Sequence, residues 1–154
     1  MKIVYRTEQH QFKKSDTEYK FLDTLCFKSK NLYNLCLYEE RQAFFKYQKS
    51  IDYNSLYHIV KNSDAYKDMI SAAVAQSIIR QVATIFNSYF KAMKSYYKNP
   101  DKFLGRPQLP KYKHKEKGRN ILEFNNQSVK VRGNFVQFPK KMSGFIIKTK
   151  AESV

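Results

Sequence analysis

Apolar and polar positions alternate at the start of the chain, fall into helical spacing through its middle, and return to alternation near its end. Ile3 and Tyr5 alternate with polar neighbours around β-branched Val4, which predicts a short strand over Lys2 to Thr7. The period then changes. Ser15-Asp16-Thr17-Glu18 has the Ser-x-x-Glu spacing of a capping box, and Tyr19, Leu22, Leu25, Cys26, Leu32, Tyr33, Cys36 and Leu37 follow at helical intervals through about Tyr47. Tyr53, Leu56, Tyr57 and Val60 predict a second, shorter helix from Asp52 to about Asn62. A third, from about Ser71 to Tyr97, carries the stripe Val74, Ile78, Val82, Ile85, Tyr89, Met93 and Tyr96 with no Gly or Pro inside it.

Beyond it the composition shifts. Residues 98–119 hold three of the four prolines, two glycines, and Lys or Arg at 98, 102, 106, 111, 113, 115, 117 and 119. Helix cannot continue through such a stretch. Phe103, Tyr112 and His114 are interleaved with the charges, so the segment offers phosphate contacts and base stacking together, a solvated linker being the competing reading. After Asn120 the pattern is strand-like: Ile121, Leu122 and Phe124 form one run, and Val129-Lys130-Val131 and Phe135-Val136-Gln137-Phe138 flank Gly133-Asn134 as in a hairpin. Phe145-Ile146-Ile147 makes a last strand. One strand, then helices, then several strands predicts an α+β fold, a small β-barrel interrupted by a helical insertion, because the lone first strand must find partners.

At 154 residues the chain is long enough for one domain or two small ones sharing a core, and 42% hydrophobic content is too apolar for a disordered chain. The charge narrows the function. Twenty-nine Lys and Arg against 13 Asp and Glu leave a net charge of +16, so polyanions are the natural partners, bound in a steeply salt-dependent way. No stretch approaches the roughly 20 apolar residues of a membrane span, and the N-terminus lacks an apolar signal core, so no membrane partner and a cytoplasmic location are expected. Cys26 and Cys36 lie ten residues apart in one helix, about 15 Å at 1.5 Å per residue, too far for a disulfide.

Catalytic chemistry is poorly represented. After Lys102 only Glu116, Glu123 and Glu152 remain as acids, and earlier ones are scattered on helices among lysines, so no carboxylate set for two-metal phosphodiester hydrolysis is apparent. His10, His58 and His114 stand apart, with no His-x-His pair beside a nucleophilic tyrosine, and no Gly-rich phosphate loop is present. No catalytic residue, metal ligand or cofactor is expected in this chain.

A collinear series of short motifs carries a resemblance. Ala75-Gln76-Ser77 opens a helix with Phe86-Asn87-Ser88-Tyr89-Phe90-Lys91 near its end; Gly105-Arg106-Pro107-Gln108-Leu109-Pro110-Lys111-Tyr112 follows, then Phe124-Asn125-Asn126, Val129-Lys130-Val131, Phe138-Pro139-Lys140 and Ile147-Lys148-Thr149-Lys150. Over residues 76–150 this resembles the N-terminal half of the transposon-encoded TnpB family of RNA-guided DNA endonucleases, relatives of compact type V CRISPR effectors. Leu32-Tyr33-Asn34 is similar to the family's early helix, and residues 1–70 match loosely. Gln108-Leu109-Pro110 after Gly-x-Pro, and Phe138 in place of Leu, depart from the family pattern.

The resemblance implies a wedge β-barrel from residues 1–14 and 120–154, a recognition lobe of helices over 15–97, and a basic connector over 98–119. It implies guide RNA and double-stranded target DNA as partners, base pairing reading the target while the protein reads a short transposon-adjacent motif. Tyr53, Tyr57, Gln76 and Asn125 match the family's motif-reading positions; Gln and Asn can bond an adenine edge, and Tyr can meet a thymine methyl or a phosphate. Each also has a structural alternative: Tyr53 and Tyr57 packing between helices, Gln76 capping the third helix, Asn125 ending a strand. Backbone and stacking contacts are expected from Lys98, Lys102, Phe103, Arg106, Lys111, Tyr112, Lys113, Lys115, Lys117, Arg119 and Lys140. The family's RuvC-like carboxylates, which use a divalent metal such as Mg, and its zinc module fall beyond residue 154, so a separate nuclease-bearing chain is a possible further partner. Rival readings are a stand-alone repressor or competitor of the same descent, and a structural RNA-binding protein of ribosomal type.

Overall fold

The computed structural model describes residues 7–150. The first helix, α1, spans Thr17–Tyr47, unbroken because no Gly or Pro interrupts it. Its start differs from the expected capping box. Asp16 is the N-cap, but its carboxylate turns back to accept from Lys13 N (2.7 Å), and no side chain caps the first turn. Gln48 ends the helix in the left-handed region (φ 55°), its N–H donating to Phe44 O.

Helix α2, Tyr53–Val60, is capped by Asp52, whose Oδ1 accepts from Asn54 N and Ser55 N. A four-residue helix, α3 (Asp64–Lys67), capped by Ser63, was not legible in the apolar spacing because one turn is too short to show a period. Helix α4, Ala72–Lys98, starts at the N-cap Ser71 and stops before Asn99-Pro100, where a 3-10 turn over Pro100–Lys102 begins.

The core forms where α1, α2 and α4 meet. Leu32, Cys36 and Leu37 of α1 pack on Leu56 and Val60 of α2 and on Val74, Ile78, Ile79, Val82 and Phe86 of α4, all at most 1% exposed. Each such side chain contributes roughly 1.5–3 kcal/mol of burial for the larger residues. The α4 stripe is broader than the expected one: Ala75, Ile79, Ala83 and Phe86 are buried too, while Ile85, Tyr89 and Tyr96 are only partly so. Two neighbours, α1 and α2, cover α4 and widen its apolar face.

The β part is a three-stranded antiparallel sheet of order β1-β2-β3, with β1 Lys130–Arg132, β2 Phe135–Gln137 and β3 Ile146–Lys148. The hairpin expected at Gly133-Asn134 forms, and Gly133 holds a positive φ (58°), which a glycine adopts without strain. The protein is therefore a mixed α and β structure, as the sequence pattern predicts. Among the described residues the sheet is open and no barrel closes. The strand expected over 2–7 lies outside the described residues, apart from Thr7, which is in no strand.

The run Ile121-Leu122-Phe124 pairs with no strand. Its backbone is instead taken up by α1: Ser29 Oγ donates to Ile121 O (2.8 Å), and Asn120 N donates to Cys26 O (3.1 Å). Leu122 and Phe124 then pack both on the helical core and on a second cluster of Leu25, Ile70 and Met142, joining helices to sheet. The N-terminal segment reaches the same end of the molecule: Phe12 contacts Phe145 (5.7 Å between ring centroids), and Glu8 accepts from Thr149 Oγ1 and Lys150 N. No helix among the described residues is long and apolar enough to cross a membrane.

Candidate nucleic-acid interface

Three of the four expected motif-reading residues converge. The Tyr66 hydroxyl lies near the side chains of Gln76 and Tyr57, and the Tyr57 and Tyr66 rings meet edge to face at 6.0 Å. Burial, and then the neighbouring Tyr57, push the Tyr66 hydroxyl above its ordinary pKa. Tyr53 lies beside them with the Arg80 guanidinium 5.2 Å from its ring centroid. Tyr53 and Tyr57 are half-buried against the helical core, so the packing alternative holds for their inner edges while their outer edges meet solvent. Gln76 does not cap α4, since Ser71 accepts from Val74 N in that role.

Arg80 and Tyr66 were missed in the sequence. Arg80 belongs to a polar row, Gln76, Arg80, Thr84 and Asn87, at helical intervals on α4, and that spacing is the signal that could have found it. Arg80, Thr84 and Asn87 form one wall of a cleft of about 410 Å³ whose other wall is Ser50 to Tyr53.

Asn125 is engaged elsewhere. Its Oδ1 accepts from Ser128 N (3.0 Å) and Ser128 Oγ (2.8 Å), closing a turn and not ending a strand.

The basic connector is no free linker. Residues 110–120 run antiparallel to α1 as a strap, and the helix supplies the bonds: Arg41 Nη1 donates to Pro110 O (2.8 Å), Asn34 pairs with both backbone groups of Lys113, and Lys30 Nζ donates to Lys115 O (2.5 Å). Lys30 is 2% exposed and its ammonium lies 3.7 Å from the Phe27 ring centroid. Burial, then the charges of Arg119 and Lys115, lower its pKa from the ordinary lysine value. The strap turns at Gly118, whose N–H donates to His114 O, while His114 Nδ1 accepts from Glu116 N and Lys117 N. A Cβ at Gly118 would lie 2.8 Å from His114 N, so the turn requires glycine.

This arrangement sorts the expected backbone-contact residues. Arg119 is exposed but paired: its guanidinium donates two bonds to Asp23 (2.8 and 2.7 Å), which lowers the Asp23 pKa and raises that of Arg119. Lys113 is half-buried with its ammonium 4.9 Å from the Tyr33 ring centroid, and Phe103 is half-buried against Tyr96 (5.6 Å). These three each make a contact within the fold. Lys98, Lys102, Arg106, Lys111, Lys115, Lys117 and Lys140 are exposed, as is Tyr112, on whose ring Arg41 rests at 5.1 Å. Arg41, Arg106 and Lys111 surround a cleft of about 420 Å³ with Tyr89 and Gln108, and no acidic residue lines it.

Among the described residues no group of three or more His, Cys, Asp or Glu side chains could hold a metal. No family model matches the sequence, and no curated protein matches it significantly.

Proposed function

We propose that this protein binds nucleic acid as the recognition portion of a TnpB-like RNA-guided DNA nuclease, holding guide RNA and reading a short motif in duplex DNA. The observation that carries the reading is the convergence of Tyr53, Tyr57 and Gln76 on one surface beside Arg80, because an amide and phenols beside a guanidinium are a set suited to base edges and phosphates. The acid-free cleft of Arg41, Arg106 and Lys111 and the outward lysines of the strap suit a phosphate backbone. On this reading the three-stranded sheet belongs to a small wedge-like barrel, the helices form the recognition lobe, the protein acts in the cytoplasm, and cleavage comes from RuvC-type carboxylates outside residues 1–154 that use a divalent metal such as Mg.

The test is to purify the protein from its native locus and sequence the RNA that accompanies it. A single noncoding RNA ending in variable guide sequence is expected, and heterogeneous RNA released by moderate salt overturns the RNA-guided reading. Motif reading is checked on a randomised duplex library: Gln76→Ala should relax one preferred base, at about 1–3 kcal/mol of discrimination. An equal loss on every sequence refutes the base contact.

A further inference from the structure

The strand register separates the sheet into two faces of different chemistry. Cross-strand partners share a face and successive residues alternate, so Val131, Val136 and Ile147 lie on one side. Phe138 and Phe145, joined by the Phe138 N–H to Phe145 O bond that continues the ladder, fall on that same side and pack on the Leu25–Ile70–Met142 cluster. This face is covered at its Phe138–Phe145 end, while Val131 on the edge strand stays 48% exposed.

The outer face holds two cross-strand rows, Arg132–Phe135–Lys148 and Lys130–Gln137–Ile146. The three cations are exposed, Phe135 is 40% exposed and Ile146 51%, and no acid occurs in either row. Phe135 sits on the central strand with a cation on each side of it. A phenyl ring held on a sheet between two cations has the elements of a stacking platform, the ring taking a base and the cations the phosphates on either side.

We propose that this outer face is a second contact surface that takes single-stranded RNA, with one base stacked on Phe135 and the backbone led across by Arg132, Lys148 and Lys130. It rests on the nucleic-acid reading but uses none of the residues of the helical cluster, the strap or the connector. Charge complementarity and the aromatic ring select this occupant over an apolar partner, for which three cations on so small a face are ill suited. A duplex does not fit the stacking role, because its bases are already stacked on each other.

The chain contains no tryptophan, which supplies a direct test. In Phe135→Trp the new indole is the sole one, and binding of a labelled unstructured RNA, followed by anisotropy, should quench its fluorescence at saturation. Phe135→Ala should weaken that RNA about tenfold or more while Phe135→Tyr retains it, and duplex DNA binding should be unchanged in both. Arg132→Gln with Lys148→Gln should lower the slope of log K against log salt by about 1.4. Undiminished RNA binding by Phe135→Ala, or RNA binding without quenching in Phe135→Trp, overturns the platform and leaves the nucleic-acid reading intact. Failure of the unaltered protein to bind any RNA overturns both.

Discussion

Asn34 holds Lys113 by both of its backbone groups: Asn34 Nδ2 donates to Lys113 O at 2.9 Å, and Asn34 Oδ1 accepts from Lys113 N at 2.9 Å. A side-chain amide on α1 thereby does for the strap what a neighbouring strand does in a sheet, satisfying donor and acceptor together. The contact spans 79 positions of sequence and fixes where the basic segment lies.

Removing that amide should loosen the strap. Asn34→Ala leaves the Lys113 N–H and C=O without partners in a half-buried position and should cost about 1 to 3 kcal/mol in chemical denaturation. Limited trypsin digestion should cut faster at the strap lysines 111–117 than in the unaltered protein. Unchanged cleavage with unchanged stability would show that Asn34 does not hold the segment.

Glu40 gives a pH prediction of definite sign. Its carboxylate is fully buried, accepts from Ile51 N (2.9 Å) and Ser50 Oγ, and fixes the turn between α1 and α2. Burial raises its pKa above 4.5 more than these bonds lower it. The folded state therefore holds the proton more tightly than the unfolded chain. The resulting stabilisation is fully present below the unfolded value and is lost as pH rises through the folded one. Glu40→Gln keeps an acceptor for Ile51 N–H without the buried charge. In paired thermal melts the variant should gain on the unaltered protein between pH 4 and pH 8. A relative loss over that interval would refute the burial argument.

Much of the helical half was legible because its elements are long. Three or four apolar residues per two turns, repeated through Leu32, Cys36 and Leu37 and again through Val74, Ile78 and Val82, can arise from few other structures. The hairpin was legible from Gly133-Asn134 between alternating runs. The strap was not, because it has no period of its own. Its conformation is imposed by Arg41, Asn34 and Lys30 across more than sixty residues of sequence, and those side chains read locally as an ordinary polar helix face. The same blindness affected the site. Charge and aromatic content marked the segment, but which charges face outward depends on partners such as Asp23 and Tyr33 that only the fold brings near.

That distinction can be measured among the strap lysines. Lys111, Lys115 and Lys117 are exposed, whereas Lys113 spends its ammonium on the Tyr33 ring. On the nucleic-acid reading, a lysine contributes to the salt slope only when it releases a counterion from a phosphate, about 0.7 per contact on a single strand. Changing Lys111, Lys115 and Lys117 together to Gln should lower the slope for RNA by about 2 with little effect on the melting temperature. Lys113→Gln should do the reverse, lowering stability through the lost cation–π contact and leaving the slope unchanged. If the triple variant keeps its slope, the strap is a structural brace only, and the phosphate contacts belong to cations other than these three, such as Arg41 and Arg106 of the cleft.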